Sequence, residues 1–351
     1  MDADRGSTIG VFSLPHHASA RAQTVFAQPG LAGQQAVSNN GASPRQVPMS
    51  DNSSLRPASL LPGYADTPRG LVHYAQAGAG APLLLLHATP GSYRAFRQLA
   101  PLLAPHFHTI APDTPGYGNS DTLQGDASIQ ALAGSMVDLL DALELPRAHV
   151  LGLHTGNKIA AAMAADWPDR VDRVVLAGHT HSLIVDKASR DSAIHHLVDH
   201  YFPAFVASAD GSHRVRRWLM AQADVQSLWW SPQLLTGTEV ADDDVAVAEA
   251  MVIDHLLGWR SIVPTYEAIF AFDLAAALRK ISAPTLVLEL RPADEAHLPA
   301  QAPAICDIVG GARSVVLDGC DASVFRRHPE RVADAVLPFL GEQANHTTSR
   351  R

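Results

Sequence analysis

The stretch that decides how this chain reads is Gly152-Leu153-His154-Thr155-Gly156-Asn157, "GLHTGN". It follows "RAHVL" and precedes "KIAAAMAADWPDRV". The residues before it form an apolar run of strand length, and those after it form a run of small residues at helical spacing. Glycines stand at the first and fifth places, and a histidine stands between them. A strand that turns this tightly into a helix projects its middle side chain alone, and the glycines let neighbouring backbone come close. The helix start also aims unpaired N–H groups at the site, which favours developing negative charge there.

Working outward, the same alternation repeats. "LVHYAQAG" reads as a strand, and "PLLLLHATPG" as a buried strand ending in a turn. A helix is expected over "YRAFRQLAPLLA", a strand over "HTIAPDTPGYGNSD", and a helix over "IQALAGSMVDLLDALEL". After the GLHTG turn come the helix "NKIAAAMAADWP" and the strand "VDRVVLAG". Much later follow "PTLVLEL", "ARSVVLDG" and the helix "PERVADAVLPFLGE". Strands apolar on both faces, alternating with helices, predict an α/β protein with a mostly parallel, doubly wound sheet.

The alternation fails between about residues 180 and 280. There "SAIHHLVDHYFPAFV", "HRVRRWLMAQADV" and "VAEAMVIDHLLGWRSIVPTYEAIFAF" all show helical spacing. This segment is expected to be an inserted helical cap over the carboxyl edge of the sheet, where open α/β folds bind ligands. Residues 65–179 and 281–341 then form the core. Residues 1–64, rich in Ala, Gln, Ser, Asn, Gly and Pro without a sustained period, are expected to be a disordered extension, and 342–351 a disordered tail.

Bulk properties narrow the function classes. The chain has 351 residues and a net charge of −9, which argues against a nucleic-acid partner. Two cysteines, Cys306 and Cys320, make neither a disulfide framework nor a thiolate zinc site. No apolar run is long enough to span a bilayer, and no secretory signal is seen, so the expected location is the cytoplasm. "GAGAP" near Gly78 leads into a strand and not a helix, so it does not match a phosphate-binding fingerprint. No cofactor is expected, and the partner is a small-molecule substrate. Oligomeric state is not legible.

Four stretches, "LLLLHATPG", "APDTPGYGNSD", "VLGLHTGNKIA" with "WPDRVDRVVLAG", and "ISAPTLVLEL…GARSVVLDG…HPERVADAVLPFL", together resemble the α/β-hydrolase superfamily in its cap-bearing, epoxide-hydrolase and esterase-like branch. The resemblance runs from about Tyr64 to Gly341. It implies the α/β-hydrolase fold, a nucleophile elbow at GLHTG, and an oxyanion hole built from the N–H groups of Thr155 and Thr89 (or Ala88). It implies an acid after "PTLVLEL", where Asp294 and Glu295 stand, with Asp294 the candidate. Asp113 matches a turn that holds its loop. The chain departs from the family in two places: His154 stands where the nucleophile belongs, and the family's histidine position falls on Ala322.

A hydrolase lacking both groups cannot follow the usual acyl-enzyme route. The first reading makes His154 a general base, since an imidazole suits proton transfer near neutral pH. It would activate water against an ester, or take a proton from a carbonyl compound in lyase-type chemistry. A second reading gathers His87, His154, His179, His181 and His213 into a metal site. A third is a ligand-binding homologue without catalysis. His87, His213, Trp218 and Tyr266 are the candidate substrate-binding residues; the resemblance implies Tyr266 as a donor to a substrate oxygen, since epoxide hydrolases use cap tyrosines that way.

Overall fold

The computed structural model describes residues 59–178, 183, 207–216, 218, 242–292 and 300–342. Its described strands form one sheet in the order β1-β2-β4-β3-β5-β6-β7-β8. These are β1 (Leu61–Thr67), β2 (Gly70–Ala77), β3 (Pro82–Leu86), β4 (His108–Pro112), β5 (Ala148–Leu153), β6 (Val171–Ala177), β7 (Thr285–Arg291) and β8 (Arg313–Asp318). The β1–β2 and β2–β4 pairs are antiparallel and the rest are parallel. The described helices are α1 (Leu99–Leu103), α2 (Ile129–Ala142), α3 (Thr155–Asp166), α4 (Asp242–Ala271), α5 (Leu274–Leu278), α6 (Ala302–Val309), α7 (Val324–Arg327) and α8 (Pro329–Leu340).

Why the central strands are leucine- and valine-rich follows from the two faces. Successive side chains on a strand point to opposite sides of the sheet. Leu84, Leu86, Val150 and Val174 join one core, with α2 and α3 packed on it. Leu83, Leu85, Leu151 and Val175 join the other, with Phe96, Leu103 and Val336 of the opposite layer. Leu83 to Leu86 are fully buried, so β3 has no solvent face and no polar residue to alternate with.

Three sequence expectations need correction. Order begins before residue 65, because β1 starts at Leu61. That edge strand exposes Leu61 and Tyr64 and is held by backbone pairing to β2, so it carries little apolar pattern to read. The helix expected over "YRAFRQLAPLLA" is two pieces, a 3-10 turn at Tyr93–Phe96 and then α1. The restart puts Pro101 in the first turn of α1, where its missing N–H costs nothing. The strand expected over "HTIAPDTPGYGNSD" stops at Pro112, where Asp113 begins a hydrogen-bonded turn.

The expected cap segment is described at 207–216 and along α4. Serine, tyrosine and carboxylate groups pin α4 to the core. Ser92 Oγ donates to Asp254 Oδ1 at 2.7 Å, and Tyr117 Oη bonds Thr265 Oγ1 at 2.8 Å. Val252 and Ile262 of α4 are fully buried. The segment "SAIHHLVDHYFPAFV" lies outside the described residues.

Candidate functional site

The turn between β5 and α3 is as tight as its glycines require. His154 has φ 49° and ψ −105°, a conformation unfavourable for any residue with a Cβ. Its N–H donates to Ala177 O at 3.0 Å, and its carbonyl accepts from Asn157 N at 3.1 Å. A Cβ at Gly152 would lie 2.1 Å from Gly156 O, and one at Gly156 would lie 2.1 Å from Leu86 O. Neither position admits alanine without moving backbone. Gly178, at φ +84°, would bring a Cβ to 3.1 Å from His154 Cε1 and Nδ1, so the imidazole rests beside the end of β6.

The neighbouring turn after β3 is fixed by groups from two strands. His87 is 1% exposed, and both ring nitrogens are committed. Nδ1 pairs with Ala88 O at 2.8 Å and Nε2 accepts from Thr114 N at 3.0 Å, which sets the Nδ1–H tautomer. Burial lowers its pKa, outweighing the bond to Ala88 O, so the ring stays neutral. His87 is therefore a scaffold residue and not the substrate contact expected from the sequence. A buried ring whose two nitrogens both serve the backbone has nothing left to offer a ligand.

Asp113 holds the turn after β4 in the same manner. It accepts from His73 Nδ1 at 2.8 Å, Tyr93 N at 2.7 Å and Asn119 N at 2.9 Å. Burial alone would raise its pKa, but these donors outweigh burial and hold the carboxyl below its ordinary range.

Above the two turns lies a cavity of about 470 Å3. His154, Thr155 and Thr89 form part of its floor, and Tyr266 and Phe270 of α4 face it. Tyr266 Oη donates to Thr89 O at 3.4 Å, so this tyrosine does reach the site. Thr89 N–H donates to Thr155 Oγ1 at 3.2 Å, which joins the two turns directly. Ala322 and Arg326 close one wall. His154 and Ala322, the residue that the sequence resemblance puts at the family's histidine position, thus border one space.

Two expected site residues lie elsewhere. His213 and Trp218 line a separate cavity of about 530 Å3, beside Gly116 and Leu257. His213 Nδ1 accepts from Ser208 N at 3.1 Å, a bond inside its own turn, and Trp218 is 42% exposed. Helical spacing marked both as cap residues but carried no information on which way that helix faces. Asp294, Glu295, His179 and His181 lie outside the described residues. Among the described residues no three His, Cys, Asp or Glu side chains cluster in a way that could hold a metal ion.

Sequence reading missed four polar residues around this cavity. Lys158, His255 and Arg326 line it, and Asp254, next to His255 on α4, is buried and acts electrostatically on Arg326. A signal existed for Lys158, a lone charge inside "NKIAAAMAA". Asp254 and His255 share a helix with Val252 and Ile262, and charges near such a buried stripe deserve the same suspicion. Nothing in "VFRRH" says which arginine turns inward. Burial pushes the Asp254 carboxyl up, against the hydrogen bond from Ser92 and the nearby Arg94.

With this geometry in view, likeness to other proteins can be weighed. Residues 81–227 match the family model described as alpha/beta hydrolase fold. Over that stretch the chain matches the family, and its sheet has the α/β-hydrolase fold. A soluble epoxide hydrolase of Corynebacterium sp. (strain C12) is 31% identical over 131 residues, 37% of this chain and 46% of that one. The stretches matched span less than half the length of the curated relatives. Among solved structures, the epoxide hydrolase CorEH superposes with a TM-score of 0.62 at 21% identity, covering 81% of this chain and 99% of its own. A hydrolase from Pseudomonas aeruginosa PA01 gives 0.57 at 26% identity, covering 80% and 98%. The shared α/β-hydrolase fold is what the first of these establishes. No described helix is long and apolar enough to cross a membrane.

Proposed function

We propose that this α/β-hydrolase is an enzyme in which His154 replaces the usual nucleophile and acts as a general base on a small, largely apolar ester or carbonyl compound. The observation that carries the reading is His154 itself, held at φ 49° on the elbow and facing a cavity of about 470 Å3. A strained backbone position that projects an imidazole into a cavity is costly, and such strain belongs to sites that use it. The imidazole would take a proton from a water poised on the substrate carbonyl. The resulting hydroxide adds to the carbon, and the oxyanion forms beside the start of α3. There the Thr155 N–H, with that of Thr89, would donate to it. In lyase-type chemistry the same imidazole would take a proton next to the carbonyl. With Ala322 at the far wall, no second imidazole is asked for. Asp294 would support the imidazole in this scheme.

One observation favours a second reading, a ligand binder without turnover. The Thr89 N–H already serves Thr155 Oγ1 and would have to change partner to hold an oxyanion.

Hydrolysis of short-chain nitrophenyl esters decides between them, measured for the wild type and His154→Ala after chelator treatment, from pH 5 to 9. General-base chemistry predicts a rate that rises with pH as an imidazole loses its proton, and that falls roughly 10²–10⁴-fold in the variant. A wild type no faster than background removes esterase chemistry and leaves lyase substrates and the binder to be tested.

A further inference from the structure

The far wall of the cavity holds a cation that the reading above does not use. Arg326 sits on α7, whose Val324 and Phe325 are buried in the core, so the helix fixes where its guanidinium goes. The next residue, Arg327, is exposed, whereas Arg326 lines the cavity. Arg326 Nε is buried without a hydrogen-bond partner, and Arg326 makes no ion pair with a described residue. Lys158 of α3 lines the same space. No aspartate or glutamate is among the described lining residues, although the chain as a whole carries a net charge of −9.

The described carboxylate that acts on Arg326 does not neutralise this wall. Asp254 lies within electrostatic range of Arg326 but is 1% exposed, and its Oδ1 is taken by Ser92 and Arg94. Its Oδ2 has no partner either. A guanidinium so placed has lost much of its water and meets no fixed ion-pair partner among the described residues, a state that an incoming anion relieves. The rest of the lining is largely apolar, with Met251, Ile269 and Phe270 among it.

We propose that Arg326, with Lys158 in the same cavity, forms a carboxylate-binding subsite, so that the molecule taken by this pocket is an apolar compound bearing a carboxylate. The planar fork of arginine matches a carboxylate with two parallel bonds, which a lysine cannot supply. The inference rests on the cavity above His154 being the ligand site, but it needs no turnover.

Equilibrium binding tests it on the full chain. Titration calorimetry at pH 8, where an ordinary imidazole is neutral, compares 4-phenylbutyrate with its neutral amide, 4-phenylbutyramide. The wild type is expected to bind the carboxylate about tenfold more tightly or better, as a charge-assisted fork would give. In Arg326→Met the preference should fall to about twofold or less with amide binding unchanged. Arg326→Lys, which keeps the charge and loses the fork, should fall between. If Arg326→Met does not fold, a roughly threefold or greater loss of preference in Arg326→Lys supports the subsite. Equal binding of the two probes to the wild type, binding of neither, or a preference that survives both substitutions overturns it. Ester turnover that depends on His154 alongside any of those results would leave the general-base reading standing by itself.

Discussion

Two walls of one cavity are built on opposite rules. On the β3–β4 side, the turns are tied down by groups whose bonds are nearly all made: His87 with both nitrogens engaged, Asp113 accepting from three donors. On the α4–α7 side, Asp254 Oδ2 and Arg326 Nε are buried without partners. Satisfied polar groups in a low dielectric lock a shape, while unsatisfied ones are costly to keep buried. The first wall is scaffold for the elbow. The second carries the proposed carboxylate subsite.

The difference can be attacked from both sides, and the largest effect is expected in the scaffold. Gly156→Ala drives a methyl carbon to 2.1 Å from Leu86 O, a backbone atom that cannot swing away. The expected loss exceeds about 4 kcal/mol, read from the denaturant midpoint; a loss below 1 kcal/mol would show that the elbow is far looser than described.

The two buried carboxylates should respond oppositely. Asp113→Ala leaves His73 Nδ1 and two backbone N–H groups without an acceptor and should cost about 3 kcal/mol. Asp254→Asn keeps the acceptor for Ser92 and removes a badly solvated charge, so a change within about 1 kcal/mol is expected at pH 8. Their pH signs differ as well. The folded pKa of Asp113 is depressed, so its stabilisation is present above the ordinary carboxylate range and lost as pH falls through the lower folded value. The folded pKa of Asp254 is raised, so its contribution is present below the ordinary range and lost as pH rises through the higher folded value. Melting temperatures of wild type and Asp254→Asn should therefore diverge in favour of the variant as pH rises above about 4. Parallel curves would mean that Arg94 and Arg326 neutralise Asp254 after all.

The smallest effect separates strain from chemistry at the elbow. His154→Gly relieves the positive φ that His154→Ala retains, so the glycine variant should be the more stable by roughly 1 kcal/mol. Both should lose turnover alike. If alanine proves as stable as glycine, the strain invoked for His154 is absent.

What could be read from the sequence follows from what kind of constraint each feature obeys. Gly152 and Gly156 are demanded by backbone contacts a few residues apart in sequence or one strand away, so the elbow shows as a local pattern. The leucines of β3 are demanded by burial on both faces, which any solvent-free strand shows. Tyr266 was reached through resemblance, and the structure brings it to Thr89. His87 was seen at the right strand end but given the wrong task, because the Thr114 N–H that occupies Nε2 comes from 27 residues further along.

The linear chain therefore determined the sheet, the elbow and the histidine at its centre, since close packing and tight turns leave their mark residue by residue. The direction of a helix face was settled only by packing. His213 and Trp218 turned to a second cavity, and Arg326 turned inward while Arg327 turned out. Asp254 of α4 met Ser92 and Arg94 from 160 or more residues away. Such pairings are made by the tertiary structure alone, because the energy of a buried charge depends on neighbours that no stretch of sequence contains.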